Sequence, residues 1–200
     1  MPGPTTVLSS GKTLAEICRA AQLGDDALAL LGEGTDGRGY VERLAAEGHA
    51  VDALRLLAHA LPQRPAVWWA WVCARRAHGE TPPAPVQAAL DATKLWIGEP
   101  TDANRRDAMR CATEANFRTP AGCAGLAAFL CGESIAPPER DPVPPGEYAA
   151  AQAIAGCITV AAVFTEPERA EEKFQEFLTR GLEVAEKTRL WDPPPQGSRQ

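Results

Sequence analysis

From Thr13 onward apolar residues recur three and four positions apart, and no stretch alternates with the two-residue period of a strand, so the chain is predicted to be all-α. Leu14, Ile17, Cys18 and Ala21 share one face behind Thr13, which with Glu16 has the spacing of a capping box. Gly24-Asp25-Asp26 interrupts that helix and opens a short second one, Ala27 to Leu31; Gly32, Gly34, Gly37 and Gly39 then read as a mobile turn. A helix from Tyr40 carries Val41, Leu44 and Ala45, and Gly48 breaks it. Val51, Leu54, Leu57, Ala58 and Leu61 continue as a helix stopped by Pro62.

Further helices are predicted over Val86 to Ile97, behind Thr101 with Ala108, Cys111, Ala112 and Ala115 on one face, and from Ala121 to Cys131 behind Thr119-Pro120. Ala149 to Phe164 is strongly apolar but too short to span a bilayer. Thr165-Glu166-Pro167-Glu168 has the form of a second capping box, opening a last helix with Phe174, Phe177, Leu178, Gly181, Leu182 and Ala185 inside and the pairs Glu176–Arg180 and Glu183–Lys187 outside. Hairpin follows hairpin without a repeat of fixed period, which predicts an irregular helical bundle or stacked αα-hairpins. One domain is expected over 13–191, with a flexible N-terminus over 1–12 and a disordered, proline-rich tail over 192–200.

Between these helices, residues 65–76 hold three of the five tryptophans. On a helix beginning at Pro65, Trp68, Trp69 and Trp71 fall at about 0°, 100° and 300°, too wide an arc for one surface stripe. Such a helix is central to the fold, or leaves one aromatic for a partner. Arg64, Arg75 and Arg76 flank it, and Arg75 stands four residues after Trp71, where a guanidinium can lie over an indole. Two readings follow for Arg64, Trp68, Trp69 and Arg75. Either the arginines run along the tryptophans and bond a carboxylate or a neighbouring helix end, or the four residues form a Trp/Arg hot spot for another protein.

The chain is acidic, with 20 basic and 26 acidic residues and a net charge of −6, which gives no general electrostatic support for nucleic acid or anionic lipid. Nucleic-acid binding would need Arg105, Arg106 and Arg110 to join Arg75 and Arg76 in one basic stripe. The six cysteines are scattered over helix faces and read as reduced core thiols. Residues 1–6 have no basic region followed by an apolar run, so no secretory leader is expected, and the cytoplasm is the expected compartment.

Candidate chemistry is sparse. Ser9-Ser10-Gly11-Lys12-Thr13 resembles the end of a phosphate-binding loop, but the position of its first glycine holds Thr6, so Thr13 is read as a helix cap. His49, His59 and His78 lack any metal-ligand spacing, and no metal or other cofactor is expected. Ser134 lies in Gly-Glu-Ser-Ile, not in a Gly-x-Ser-x-Gly elbow. The irregular segment Gly132 to Gly146, stiffened by its prolines, is expected to strap the surface.

The stretch Leu57-Ala58-His59-Ala60-Leu61-Pro62-Gln63-Arg64-Pro65-Ala66-Val67-Trp68-Trp69, with Ala121 behind Thr119-Pro120 and Gly132-Glu133-Ser134-Ile135-Ala136-Pro137-Pro138, resembles a bacterial family of about this length that is a domain of unknown function. The resemblance implies relatives encoded beside genes for type VI secretion and other contractile injection machinery. The resemblance implies an adaptor, chaperone or accessory role with a secretion-system component or effector as partner, and carries over no catalytic residue. The leading expectation is therefore a non-enzymatic interaction module using Arg64, Trp68, Trp69 and Arg75. The alternative is an enzyme or small-ligand binder with a pocket between hairpins, covered by the proline-rich loop.

Overall fold

Helix caps set most of the boundaries in the computed structural model, which describes residues 7–32 and 35–194. The helices are α1 (Leu14–Ala20), α2 (Asp25–Ala29), α3 (Gly37–Ala46), α4 (Ala50–Ala60), α5 (Gln63–His78), α6 (Ala84–Gly98), α7 (Asp102–Ala115), α8 (Pro120–Leu130), α9 (Ala149–Phe164) and α10 (Ala170–Lys187). Among the described residues there is no strand, only an isolated bridge between Val7 and Thr13. Thr13 and Glu16 form the expected reciprocal cap, Glu16 N–H donating to Thr13 Oγ1 at 3.2 Å and Thr13 N–H to Glu16 Oε2 at 2.7 Å. Thr101 and Thr119 likewise accept from Asn104 N–H and Gly122 N–H.

Three local expectations need correction. Gly37 and Gly39 are not in a turn: Asp36 accepts from Gly39 N–H at 2.8 Å and starts α3 three residues before Tyr40. Gly37 is buried, and a Cβ there would lie 2.5 Å from the Trp191 ring, so packing explains the glycine. The second capping box does not form. Thr165 ends α9, Glu166 turns left-handed at φ 49°, and a single turn of 3₁₀ helix, Pro167–Arg169, leads into α10. Lys173 donates to the Thr165 carbonyl instead, and α10 leaves α9 at 118°. On α10, Glu176 reaches Arg76 of α5 at 3.2 Å, and Arg180 pairs with Glu183 at 2.6 Å.

Of the expected flexible N-terminus, residues 1–6 lie outside the described residues. Residues 7–12 form a pinned turn: Leu8 is buried, Leu8 N–H donates to Lys12 O and Ser9 N–H to Leu190 O. The tail from 195 and the positions 33 and 34 also lie outside the described residues.

α5 runs antiparallel to α6, since Arg64 meets Ile97 and Gly98 while Arg75 meets Gln87. It runs parallel to α9, with Cys157 beside Ala70 and His78 beside Phe164. α8 packs between α7 and α9, and α4 and α10 cover the other side of α5 and α9. The N-terminal ends of α5, α7 and α9 and the C-terminal ends of α6 and α8 therefore gather at one end of the bundle. Trp69 is fully buried at the centre, its Nε1–H donating to Phe177 O at 2.8 Å. Gly181 lets α10 come this close, because a Cβ there would stand 2.6 Å from Trp69 Cζ2.

Candidate functional site

The α5 residues singled out as partner-binding lie along the α5–α6 seam, with one exception. Trp69 faces the interior with no exposed surface, and as a partner-binding residue it is corrected to a core residue. Its position on the arc turned toward α10 is what the wide aromatic spread allows for a central helix. Arg64 caps α6: its Nε–H donates to Ile97 O at 2.5 Å and its Nη2–H to Gly98 O at 3.1 Å, placing a cation on carbonyls that the helix end leaves unpaired. Trp71 Nε1–H donates to Leu90 O at 2.8 Å. Arg75 does not stack on Trp71; its Nη1–H reaches Gln87 Oε1 at 3.2 Å, and Lys94 Nζ lies 5.7 Å from the Trp71 ring centroid. Trp68 is half-buried, and its indole N–H meets no acceptor among the described residues.

The irregular segment from Gly132 to Gly146 returns across the same end of the bundle, and two arginines of α7 hold it. Arg105 is 3% exposed. Its Nη1–H donates to Phe129 O at 2.6 Å and its Nη2–H to Ser134 O at 2.8 Å, while the guanidinium lies 4.8 Å from the Phe129 ring centroid and bonds Asp102. Arg106 bridges Asp102 Oδ2 at 2.7 Å and Ala136 O at 2.9 Å. These two guanidinium groups, Arg106 first, hold the Asp102 carboxyl below the usual carboxylate range. Gly132 lies flat on Arg105, and a Cβ there would be 2.2 Å from Nε.

Within the strap, Ser134 Oγ accepts from Ala136 N–H at 3.2 Å and Val143 N–H at 3.0 Å, and Ile135 N–H donates to Val143 O at 2.8 Å. Ser134 thus closes the loop. Outside, Ile135 and Val143 stand side by side, 40% and 49% exposed. Arg110 pairs with Asp107 and Glu114, so with Arg105 buried the α7 arginines do not form the basic stripe a nucleic-acid surface would need.

Sequence reading missed Arg105 as an anchor. The signal was present: Arg105 stands three residues before Ala108 on the small-residue face of α7, and an arginine on a buried face needs acceptors beyond its own helix.

A cleft of ≈ 370 Å³ lies between α1, α4 and α9, walled by Val51, Arg55 and His59 on one side and Gln152, Gly156 and Val160 on the other. His59 Nδ1–H donates to Arg55 O at 2.8 Å, which fixes the tautomer, because a carbonyl can only accept. Nε2 is then a buried acceptor without a partner among the described residues. Burial holds the His59 pKa below the usual histidine range. Its ring lies 5.7 Å from that of Tyr148, which Lys12 Nζ covers at 5.0 Å while pairing with Glu147 at 3.2 Å.

The other histidines stand apart. His49 faces Asp52 at 3.7 Å, and His78 Nε2 accepts from Ala121 N–H at 3.4 Å at the start of α8. Among the described residues no three His, Cys, Asp or Glu side chains come together as metal donors. Among the same residues no single helix is long and apolar enough to cross a membrane.

The model of a family of unknown function, DUF6931, matches residues 40–185, from Tyr40 in α3 to Ala185 in α10. No curated protein and no solved structure matches.

Proposed function

The chain belongs to the DUF6931 family of unknown function, and we propose that it is a non-enzymatic protein–protein interaction module whose recognition surface is the arginine-locked strap. The observation that carries this reading is a contradiction in ordinary folding terms. Ordering an irregular segment costs about 1–2 kcal/mol per residue in backbone entropy, and here a buried guanidinium is committed to it. Yet the strap's two large aliphatics, Ile135 and Val143, are left 40% and 49% exposed. Singly exposed aliphatics are ordinary; a pair held in one shape on a loop is preorganised for a partner, which lowers the ordering cost of association. The half-buried Trp68, with its free indole N–H, stands at the same end beside Arg64 and supplies an aromatic anchor. Arg75 supports the seam from behind.

The sequence resemblance to proteins encoded beside type VI secretion genes supports a more specific role, that of an adaptor, chaperone or accessory protein of a bacterial secretion system, with a machine component or effector as partner. The test is affinity purification of the tagged chain from its native host against an Ile135→Glu/Val143→Glu variant. One stoichiometric partner lost in the variant, with melting temperature unchanged, is the expected result. Equal recovery by both forms overturns the assignment of the strap.

A further inference from the structure

Gly156 has no structural reason to be a glycine. It sits in the middle of α9, where glycine weakens a helix relative to alanine, and an ideal Cβ built on it meets nothing within 4 Å. Gly181, by contrast, is required by the Trp69 ring. What the missing side chain leaves is open space in the cleft between α1, α4 and α9.

Two polar groups on the α4 wall of that cleft are incompletely partnered. Among the described residues the Arg55 guanidinium reaches only Asp52, at 3.8 Å, beyond hydrogen-bond distance, and Asp52 is shared with His49 at 3.7 Å. His59 Nε2 keeps a lone pair without a donor among the described residues, but it is itself buried and offers the cleft no contact. The exposed Gln152 adds an amide from α9, and Ala21 and Val51 add apolar surface. The volume, ≈ 370 Å³, lies in the size range of small-ligand sites, about 300–1,000 Å³.

We propose that the α1/α4/α9 cleft binds a small organic carboxylate with a compact apolar body: the carboxylate on Arg55 and Gln152, and the apolar body over Gly156. A guanidinium with free donors matches a carboxylate fork. The site is separate from the strap, and neither assignment depends on the other.

The test uses the full chain, isotope-labelled for NMR, with N-acetyl-leucine as probe and the neutral N-acetyl-leucinamide as its twin. Saturable shifts are expected at the amides of Ala21, Val51, Gln152 and Gly156, with a Kd of roughly millimolar for N-acetyl-leucine, as suits a ligand of this size. The amide should bind about five-fold or more weakly, and Arg55→Gln should bring the acid down to the level of the amide. Gly156→Leu, which fills the cleft, should abolish binding of both. If that variant folds poorly, Gly156→Ala takes its place, with a raised melting temperature and weakened binding. Absence of saturable shifts at the cleft overturns the proposal, as does binding that ignores both the Arg55 and the Gly156 substitutions.

Discussion

Replacing Arg105 by methionine keeps the length and apolar stem of the side chain and removes its charge, so the variant isolates what the guanidinium does. In the folded protein the group donates to Phe129 O and Ser134 O in buried surroundings. Hydrogen bonds to a charged donor contribute about 1.5–3 kcal/mol each. Two such bonds give about 3–6 kcal/mol, since the Phe129 and Ser134 carbonyls lose their charged donor. The contact with Asp102 adds little, because that carboxylate is 61% exposed. For a chain of this size 1 kcal/mol corresponds to about 2–4 °C, so Arg105→Met should lower the melting temperature by roughly 10 °C. The strap should also become cleavable by trypsin at the exposed Arg140, which the intact loop holds in a turn closed by Arg140 N–H on Pro137 O at 3.0 Å. Arg110→Met is the control, since its partners Asp107 and Glu114 are on the surface. Calorimetry that finds the two variants equally stable, with no new cleavage at Arg140, refutes the account of the strap as arginine-locked.

Other outcomes follow from the same geometry. Trp69→Phe removes the indole bond to the Phe177 carbonyl and leaves unfilled volume, so a loss of about 2–4 kcal/mol is expected in urea unfolding, whereas Trp68→Phe should be close to neutral. Burial holds the pKa of both His59 and His78 below the usual histidine range. The unfolded chain therefore takes up these protons first: their contribution is intact above about pH 6.5 and is lost as pH falls toward the depressed native values. Urea midpoints should drop from about pH 7 to about pH 5.5, and His59→Gln/His78→Gln should flatten that slope. Burial pushes the Cys18 thiol up to about 11 and that of Cys131 to about 12. Iodoacetamide at neutral pH should label both slowly in the native state and quickly in urea, as mass spectrometry of the peptides would show.

The all-helical fold was legible because helix caps and apolar spacing act over a few residues: Thr13, Thr101 and Thr119 each cap the helix that follows them. The errors came where a distant residue decides. Gly37 and Gly39 look like turn residues until Trp191 is seen lying on Gly37. Thr165 to Glu168 has the letters of a capping box, but the left-handed Glu166 and Lys173 on the Thr165 carbonyl settle that corner. The aromatic density of α5 was visible, but which tryptophan is central depended on α10 arriving at Gly181. The strap was expected from its prolines; its anchor was not, because the link from Arg105 to Ser134 crosses 29 residues. A pocket between hairpins is the alternative that the sequence offers, but not its place: the cleft joins α1, α4 and α9 through space and is lined by no residue of the strap.

The most direct measurement is hydrogen exchange, read by mass spectrometry, on the free chain and on its complex with the captured partner. The account predicts slowed exchange over residues 132–146 in the complex, centred on Ile135 and Val143, with α4 and the centre of α9 unchanged. Protection that appears elsewhere while 132–146 exchanges as in the free protein would contradict it.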